Sequence, residues 1–342
     1  MLDVTYIWQD ASGNFRSKVR KLFISRVSLV DIPCWNYDGS STGQATTEMS
    51  EVTLNPVKCY IDDKTNNVWV ICAPYTTGGI PVKPTNIHDL SLELEAIVSS
   101  GLRLGFEQEF FIYDEKTKKP YRYDEWKNTE QGDYYCSVGA RGNGFIERYV
   151  KEVYERACSL GVHCTGWNLE VAPAQGEIQV CAPAFDVCFD LLFLRYLLWD
   201  TLSKYGLYPC FDAKPLGAEW NGSGLHTNVS TRSTMGKGGY TVIKRMMTAM
   251  EKTHKEHIAV YGDGNVERLT GIHETSSYEV FSWGIGSRKA SVRIPTTTFE
   301  EGCGYFEDRR PSANADPCEV CLRIWHTIKG ISSEEGGVSS SV

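Results

Sequence analysis

Gly105-Phe106-Glu107-Gln108-Glu109-Phe110-Phe111 is the stretch whose reading sets the fold. Aromatic residues flank two glutamates spaced two apart, which predicts a strand over 104–113. Alternate strand residues point the same way, so Glu107 and Glu109 share a face. Two adjacent carboxylates repel unless a cation or a proton intervenes. Taken alone, the pair also fits the solvated face of an edge strand.

Further acidic and polar stretches appear outward from it. Asn168-Leu169-Glu170-Val171-Ala172-Pro173-Ala174-Gln175-Gly176-Glu177-Ile178-Gln179-Val180 reads as strand, turn and strand, so a hairpin can bring Glu170 and Glu177 to one face. Their neighbours are apolar, where an unpaired charge is costly. Trp220-Asn221-Gly222-Ser223-Gly224-Leu225-His226-Thr227-Asn228 is a glycine-rich turn entering a strand that points His226 and Asn228 the same way. Such glycines let backbone N–H groups approach a ligand. Gly304-Tyr305-Phe306-Glu307-Asp308-Arg309-Arg310-Pro311 puts Glu307 and Arg309 on one face, where they can also simply pair. Arg268, Arg288 and Arg293 add guanidiniums suited to carboxylates and phosphates. Oxygen-rich donors with few histidines favour Mg²⁺ or Mn²⁺ over zinc. Carboxylate-held cations beside arginines suit phosphoryl transfer.

The rest of the chain frames this centre. It has 342 residues, a formal net charge of -8 and 42% hydrophobic residues, enough to bury a core without cross-links. The negative balance argues against nucleic acid as a partner. Met1-Leu2-Asp3 leads straight into an alternating strand pattern, so no secretory signal is expected. The most apolar stretch, 185–199, carries Asp186, Asp190 and Arg195 and reads as a buried core helix, not a membrane span. Twelve cysteines without repeating spacing suggest reduced thiols in the cytoplasm, and Cys318 and Cys321 read as thiols on one helix.

Residues 3–73 are expected to be β-rich, with strands at 4–8, 18–23, 57–61 and 68–72 and polar connections at 36–50 and 62–67. The Pro- and Gly-rich stretch 73–84 reads as a linker. Helices are expected at 90–99, 145–160, 185–204, 240–260 and 317–328, and strands at 168–171, 177–180, 225–229, 290–294 and 305–309. The division is 1–79, 80–330 and a polar tail, 331–342, expected to be disordered.

These residues resemble the glutamine synthetases of eukaryotic type, almost end to end. The likeness rests on Trp35-Asn36-Tyr37-Asp38-Gly39-Ser40-Ser41-Thr42, Glu107-Gln108-Glu109, the 221–228 turn, Arg268-Leu269-Thr270-Gly271-Ile272-His273-Glu274-Thr275, and residues 305–314. It implies an α+β fold, a small N-terminal β-grasp domain followed by a larger glutamine synthetase-type catalytic domain. It also implies ATP-dependent joining of ammonia to glutamate through γ-glutamyl phosphate, in a decamer with shared active sites.

The resemblance carries roles onto this chain. Glu109, Glu170 and Glu177 would hold one Mg²⁺ or Mn²⁺ ion and Glu107, His226 and Glu307 a second, with two or three ions per site. Arg268 and Arg309 would bind glutamate beside Trp220, Asn221 and Gly222. Arg288 and Arg293 would meet the transferring phosphates. Glu107, Glu177, His226, Asn228, Ser230 and Tyr305 would surround ATP. Asp38 would reach a neighbouring subunit and take a proton from ammonium, and Glu274 would ride a closing flap.

This chain departs from the family pattern around the nucleotide base, at Arg103, Gly176, Cys181, Ala182 and Met235, and lacks a leading segment usual in the family. Two other readings are a non-catalytic structural or regulatory relative and a γ-glutamyl ligase for another amine.

Overall fold

The computed structural model describes residues 1–23, 28–62, 64–65, 67–129, 132–139 and 143–331. Beyond Ile331, the expected tail lies outside the described residues.

The first sheet has five strands: β1 (Leu2–Gln9), β2 (Phe15–Leu22), β3 (Trp35–Asp38), β4 (Glu51–Asp62) and β5 (Asn67–Thr76). Their order is β2-β1-β5-β4-β3, with β1 and β5 parallel at the centre, as a β-grasp requires. Strand alternation divides the burial. Val4, Tyr6, Trp8, Val68 and Val70 fill a core within this sheet's own layer. Ile7, Ile71 and Ala73 point the other way and join the main core.

Several expectations change here. Ala73 to Thr76 continue β5 and pair with β4 instead of starting a linker. Val82 also packs in the first core. β4 starts six residues before the strand expected at 57, because its register shifts between Pro56 and Lys58. A proline at a bulge hides a strand from pattern reading. β3 occupies part of the stretch read as a polar connection.

The second sheet has eight strands among the described residues. They are β6 (Arg103–Asp114), β7 (Cys164–Leu169), β8 (Gln175–Pro183), β9 (Leu207–Cys210), β10 (Leu225–Ser230), β11 (Trp283–Ile285), β12 (Val292–Ile294) and β13 (Phe306–Asp308). The order is β11-β12-β13-β10-β6-β8-β7, with β9 on the far half of β6. β6 is therefore central, not an edge strand. The short strands β9 and β11 were not foreseen.

The helix Ala184–Ser203 is buried along nearly its whole length, as expected of 185–204. Its Arg195 donates to Gln108 Oε1 at 2.7 Å and to the Ala313 and Ala315 carbonyls at 2.8 and 2.9 Å. Gln108 thus faces the helices, which turns Glu107 and Glu109 to the opposite face of β6. The same helix receives the first sheet: Tyr60 stacks on Phe193 at 4.0 Å and donates to Asp190 at 2.7 Å, and Lys58 pairs with Asp186. No helix among the described residues is long and apolar enough to cross a membrane.

Two expected helices are split. Residues 90–99 become Ile87–Leu92 and Leu94–Ser100, broken at Glu93, whose carboxylate is drawn to Trp325, His326 and Lys329. Residues 240–260 become Gly239–Lys252 and His254–Ile258, broken at Thr253, whose hydroxyl bonds back to the Ala249 carbonyl. Such back-bonding competes with helix continuation.

Candidate active site

Strand pairing lines up the polar residues. Across β6, His226 lies opposite Glu107 and Glu177 opposite Glu109, while Asn228 lies opposite Glu307 across β10 and β13. Glu170 sits just past β7, whose Asn168 pairs with Glu177. Two sets result: Glu107, His226 and Glu307, and Glu109, Glu170 and Glu177. Within each, one ligand atom per residue lies within 4.8 Å of the others. His226 Nδ1 stands 3.4 Å from Glu107, 3.8 Å from Glu307 and 3.6 Å from Glu109, between the two sets.

Each carboxylate is oriented by a neighbour. Gly224 N–H donates to Glu109 at 2.7 Å, Asn168 to Glu170 at 2.8 Å, Gln179 to Glu177 at 2.7 Å and Asn228 to Glu107 at 2.8 Å. Glu307 is flanked by Arg309 at 2.6 Å and by Arg293.

These contacts do not neutralise the cluster. Burial, then the charge of Glu170, pushes Glu109 up to about 8. Burial, then Glu107, Glu170 and Glu109, holds Glu177 well above the usual carboxylate range. Burial also raises Glu170. His226 is driven well below its ordinary value by burial and then Arg309, which keeps the imidazole neutral and able to ligate. Crowded buried carboxylates that hold protons for want of a counter-charge fit divalent cations, and all-oxygen donors plus one imidazole suit Mg²⁺ or Mn²⁺.

Arginines close the rim of this cavity of about 280 Å³, which Arg288, Arg293 and Arg309 line. The Nε of buried Arg309 has no partner among the described residues. Arg268 gives Nη2 to the carbonyls of Arg309, Arg310 and Pro311 and Nε to Asn265, while its Nη1 faces Gly224. A Cβ at Gly222 would meet the Ala213 carbonyl at 2.3 Å and the Arg268 side chain at 2.7 Å, so only glycine fits that turn. Trp220, beside it, packs edge-on to Trp126.

The Glu274 segment meets two of the arginines that line the cavity, Arg288 and Arg309. Thr270 bridges Ser277, and His273 and Glu274 at the tip have φ of 52° and 61°, left-handed values that cost energy without glycine. Contacts hold that conformation: Glu274 Oε2 to Arg288 at 2.7 Å, the Glu274 carbonyl to Arg309 at 3.3 Å, and His273 Nε2 to the Ala218 carbonyl at 2.8 Å.

A second, largely apolar cavity of about 410 Å³ shares Glu107 and Gln179 with the first. Arg103, Cys181, Asn228, Ser230, Met235 and Tyr305 line it. Gly176 and Ala182 do not. Gly176 packs on Val150 and Phe110, and Ala182 is in the main core, so two of the five departures belong to the opposite face of β8.

Asp38 is exposed on the first sheet, bonded to Ser40, and does not line the acidic cavity. Three lining residues were missed in the sequence: Tyr135, Asn168 and Gln179. Asn168 and Gln179 stand two residues from Glu170 and Glu177, so strand period alone could have found them. Tyr135 comes from a connecting segment with no comparable signal.

Comparison with known proteins identifies the family. A family model, the glutamine synthetase catalytic domain, matches residues 93–318. Glutamine synthetase of Emericella nidulans is 40% identical over 329 residues, covering 95% of this chain and 92% of that one. Glutamine synthetase N-1 of Phaseolus vulgaris is 41% identical over 332 residues, covering 94% and 92%. The cryo-EM structure of Plasmodium falciparum glutamine synthetase superposes with a TM-score of 0.75 at 19% identity, over 98% of this chain and 73% of that one, a likeness of fold. The chain belongs to the glutamine synthetase family, the ATP-dependent ligases that join ammonia to glutamate.

Proposed function

We propose that the two donor sets and the arginine rim carry out glutamine synthesis in the following arrangement. Glu109, Glu170 and Glu177 hold one divalent cation and Glu107, His226 and Glu307 a second, two or three Mg²⁺ or Mn²⁺ ions in all. The paired sets carry this reading, since each gathers three ligand atoms within 4.8 Å of one another and the buried carboxylates of Glu109, Glu170 and Glu177 have no cationic side chain paired with them among the described residues. Bound there, the cations offset the charge of the ATP phosphates during transfer.

Glutamate binds with its carboxylates toward Arg309, whose buried Nε has no partner among the described residues, and toward Arg268 Nη1 and the Asn221-Gly222 turn. Its γ-carboxylate attacks the terminal phosphorus of ATP, giving γ-glutamyl phosphate and ADP. Arg288 and Arg293 take up charge on the moving phosphoryl group. The second cavity, bordering Glu107, receives the nucleotide, with Asn228, Ser230 and Tyr305 beside it. That intact cavity favours an enzyme over a non-catalytic relative.

The Glu274 segment excludes water from the acyl phosphate. Asp38 of an adjacent subunit accepts a proton from ammonium, and the ammonia formed attacks the γ-carbonyl and expels phosphate. The exposure of Asp38, away from the cavity of its own chain, supports shared sites in a homo-oligomer, a decamer in this reading. Twelve free cysteines support work in the cytoplasm.

The test supplies glutamate, ATP, Mg²⁺ and hydroxylamine and measures γ-glutamyl hydroxamate during an ATP titration. Product should depend on all four. No product at saturating ATP and Mg²⁺ overturns the reading.

A further inference from the structure

The segment 269–278 is anchored at two feet, and both reach the same stretch of chain. At the first foot, Arg268 grips the carbonyls of Arg309, Arg310 and Pro311 at 3.1, 2.8 and 2.8 Å. The feet are joined to each other by Tyr278 N–H donating to the Leu269 carbonyl at 2.9 Å. At the second foot, His254 Nε2 lies 2.9 Å from the Tyr278 carbonyl. His254 Nδ1 lies 3.0 Å from Arg310 Nη1. Arg310 is wholly buried and doubly bonded to buried Asp308, through Nε and Nη2, both at 2.8 Å. Tyr261 completes the underside with a bond to Asp308 at 2.8 Å.

These partners fix the tautomer. A guanidinium only donates, so Nδ1 must accept; a carbonyl only accepts, so Nε2 must carry the proton. The imidazole is therefore neutral and reads one neighbour at each nitrogen. Arg310, Asp308 and Glu279 are the charged groups that act on it, and burial is the largest influence, lowering its pKa. Asp308 and Arg310 alternate along the chain with Glu307 and Arg309, so one short stretch presents the reacting side above and the His254 network below.

We propose that His254 is a positioning residue that ties the covering segment's second foot to the Glu307–Arg309 stretch, so that Glu274 is held over the acyl phosphate. This rests on the reading of that segment as the cover of the site. A cover anchored at only one foot still closes, but it opens more often, and water then competes with ammonia for the acyl phosphate.

Two variants separate this role from simple packing. His254→Phe keeps a ring against Phe281, now 5.9 Å away centre to centre, and removes both hydrogen bonds. His254→Gln retains one acceptor and one donor at similar spacing. Hydrogen exchange at 270–278 is compared with exchange in β1, which reports global stability. Phosphate released per hydroxamate formed reports the water leak. His254→Phe should raise exchange at 270–278 several-fold with β1 unchanged and raise the phosphate ratio several-fold, while His254→Gln stays near the parent in both. Equal behaviour of the two variants overturns the proposal, and so does a rise in exchange without a rise in the phosphate ratio. A rise spread equally over β1 assigns His254 to general stability and overturns it too. If the parent protein forms no hydroxamate, the functional reading fails instead, and exchange alone then decides whether His254 anchors the segment.

Discussion

At the scale of single residues, the acidic cluster links metal binding to protons. Glu109 keeps a proton in the folded, metal-free protein up to about 8, against 4.5 for the free group. Its contribution to stability is therefore fully present below about 4.5 and is lost as pH rises toward about 8, because the unfolded chain releases that proton more readily. Thermal unfolding of metal-free protein should show stability falling across this window, and a flat profile would count against the cluster as drawn. Cation binding needs ionised ligands, so Mg²⁺ should release protons, measurable by calorimetry in buffers of different ionisation enthalpy. Most of this was legible in the sequence. Glu107 and Glu109 betray themselves by strand period, and Asn168 and Gln179 could have been found the same way. Tyr135 could not, since nothing local ties a residue of a connecting segment to a cavity. Gly176 and Ala182, grouped with the nucleotide pocket by nearness in sequence, pack into the main core and do not line that cavity.

At the scale of elements, the helix Ala184–Ser203 serves both sheets. Toward the second sheet, Arg195 fixes Gln108 and so the direction of the two glutamates beside it. Toward the first, Asp190 receives Tyr60 and also His163 at 2.6 Å. Tyr60→Phe keeps the ring stacked on Phe193 but leaves the Asp190 carboxylate a donor short. The expected loss is about 1–3 kcal/mol in urea unfolding, with the hydroxamate activity of the folded protein little changed. The errors at this scale have tertiary causes. The break at Glu93 answers to three side chains more than 230 residues away in sequence. The final turn of β5 is strand because β4 lies beside it, and β4 was itself obscured by Pro56. Long helices with their own apolar face, such as 317–328, needed no such help and fall where periodicity puts them.

At the scale of the whole molecule, the proposed reaction draws Asp38 from a neighbouring subunit, since Asp38 is exposed on the first sheet and does not line the acidic cavity of its own chain. Asp38→Ala and Glu109→Ala should each be inactive alone. Co-assembled from equal amounts, they should recover up to about a quarter of parental activity, since random mixing makes that share of interfaces pair an intact Asp38 with an intact cation site. No recovery in mixed oligomers would mean that each subunit works unaided. The wide spread of the donor residues has another consequence, this time for the order in which the chain is made. The first sheet is complete once residue 76 has emerged, and Glu109, Glu170 and Glu177 can meet as soon as β8 has paired with β6. The second donor set must wait for β13, since Glu307 comes 130 residues after Glu177 in the sequence. During synthesis a ribosome-bound chain therefore passes through a long interval in which one cation site can exist without the other. On the proposed ligand sets, a chain in that interval would bind a cation before it could carry out the reaction.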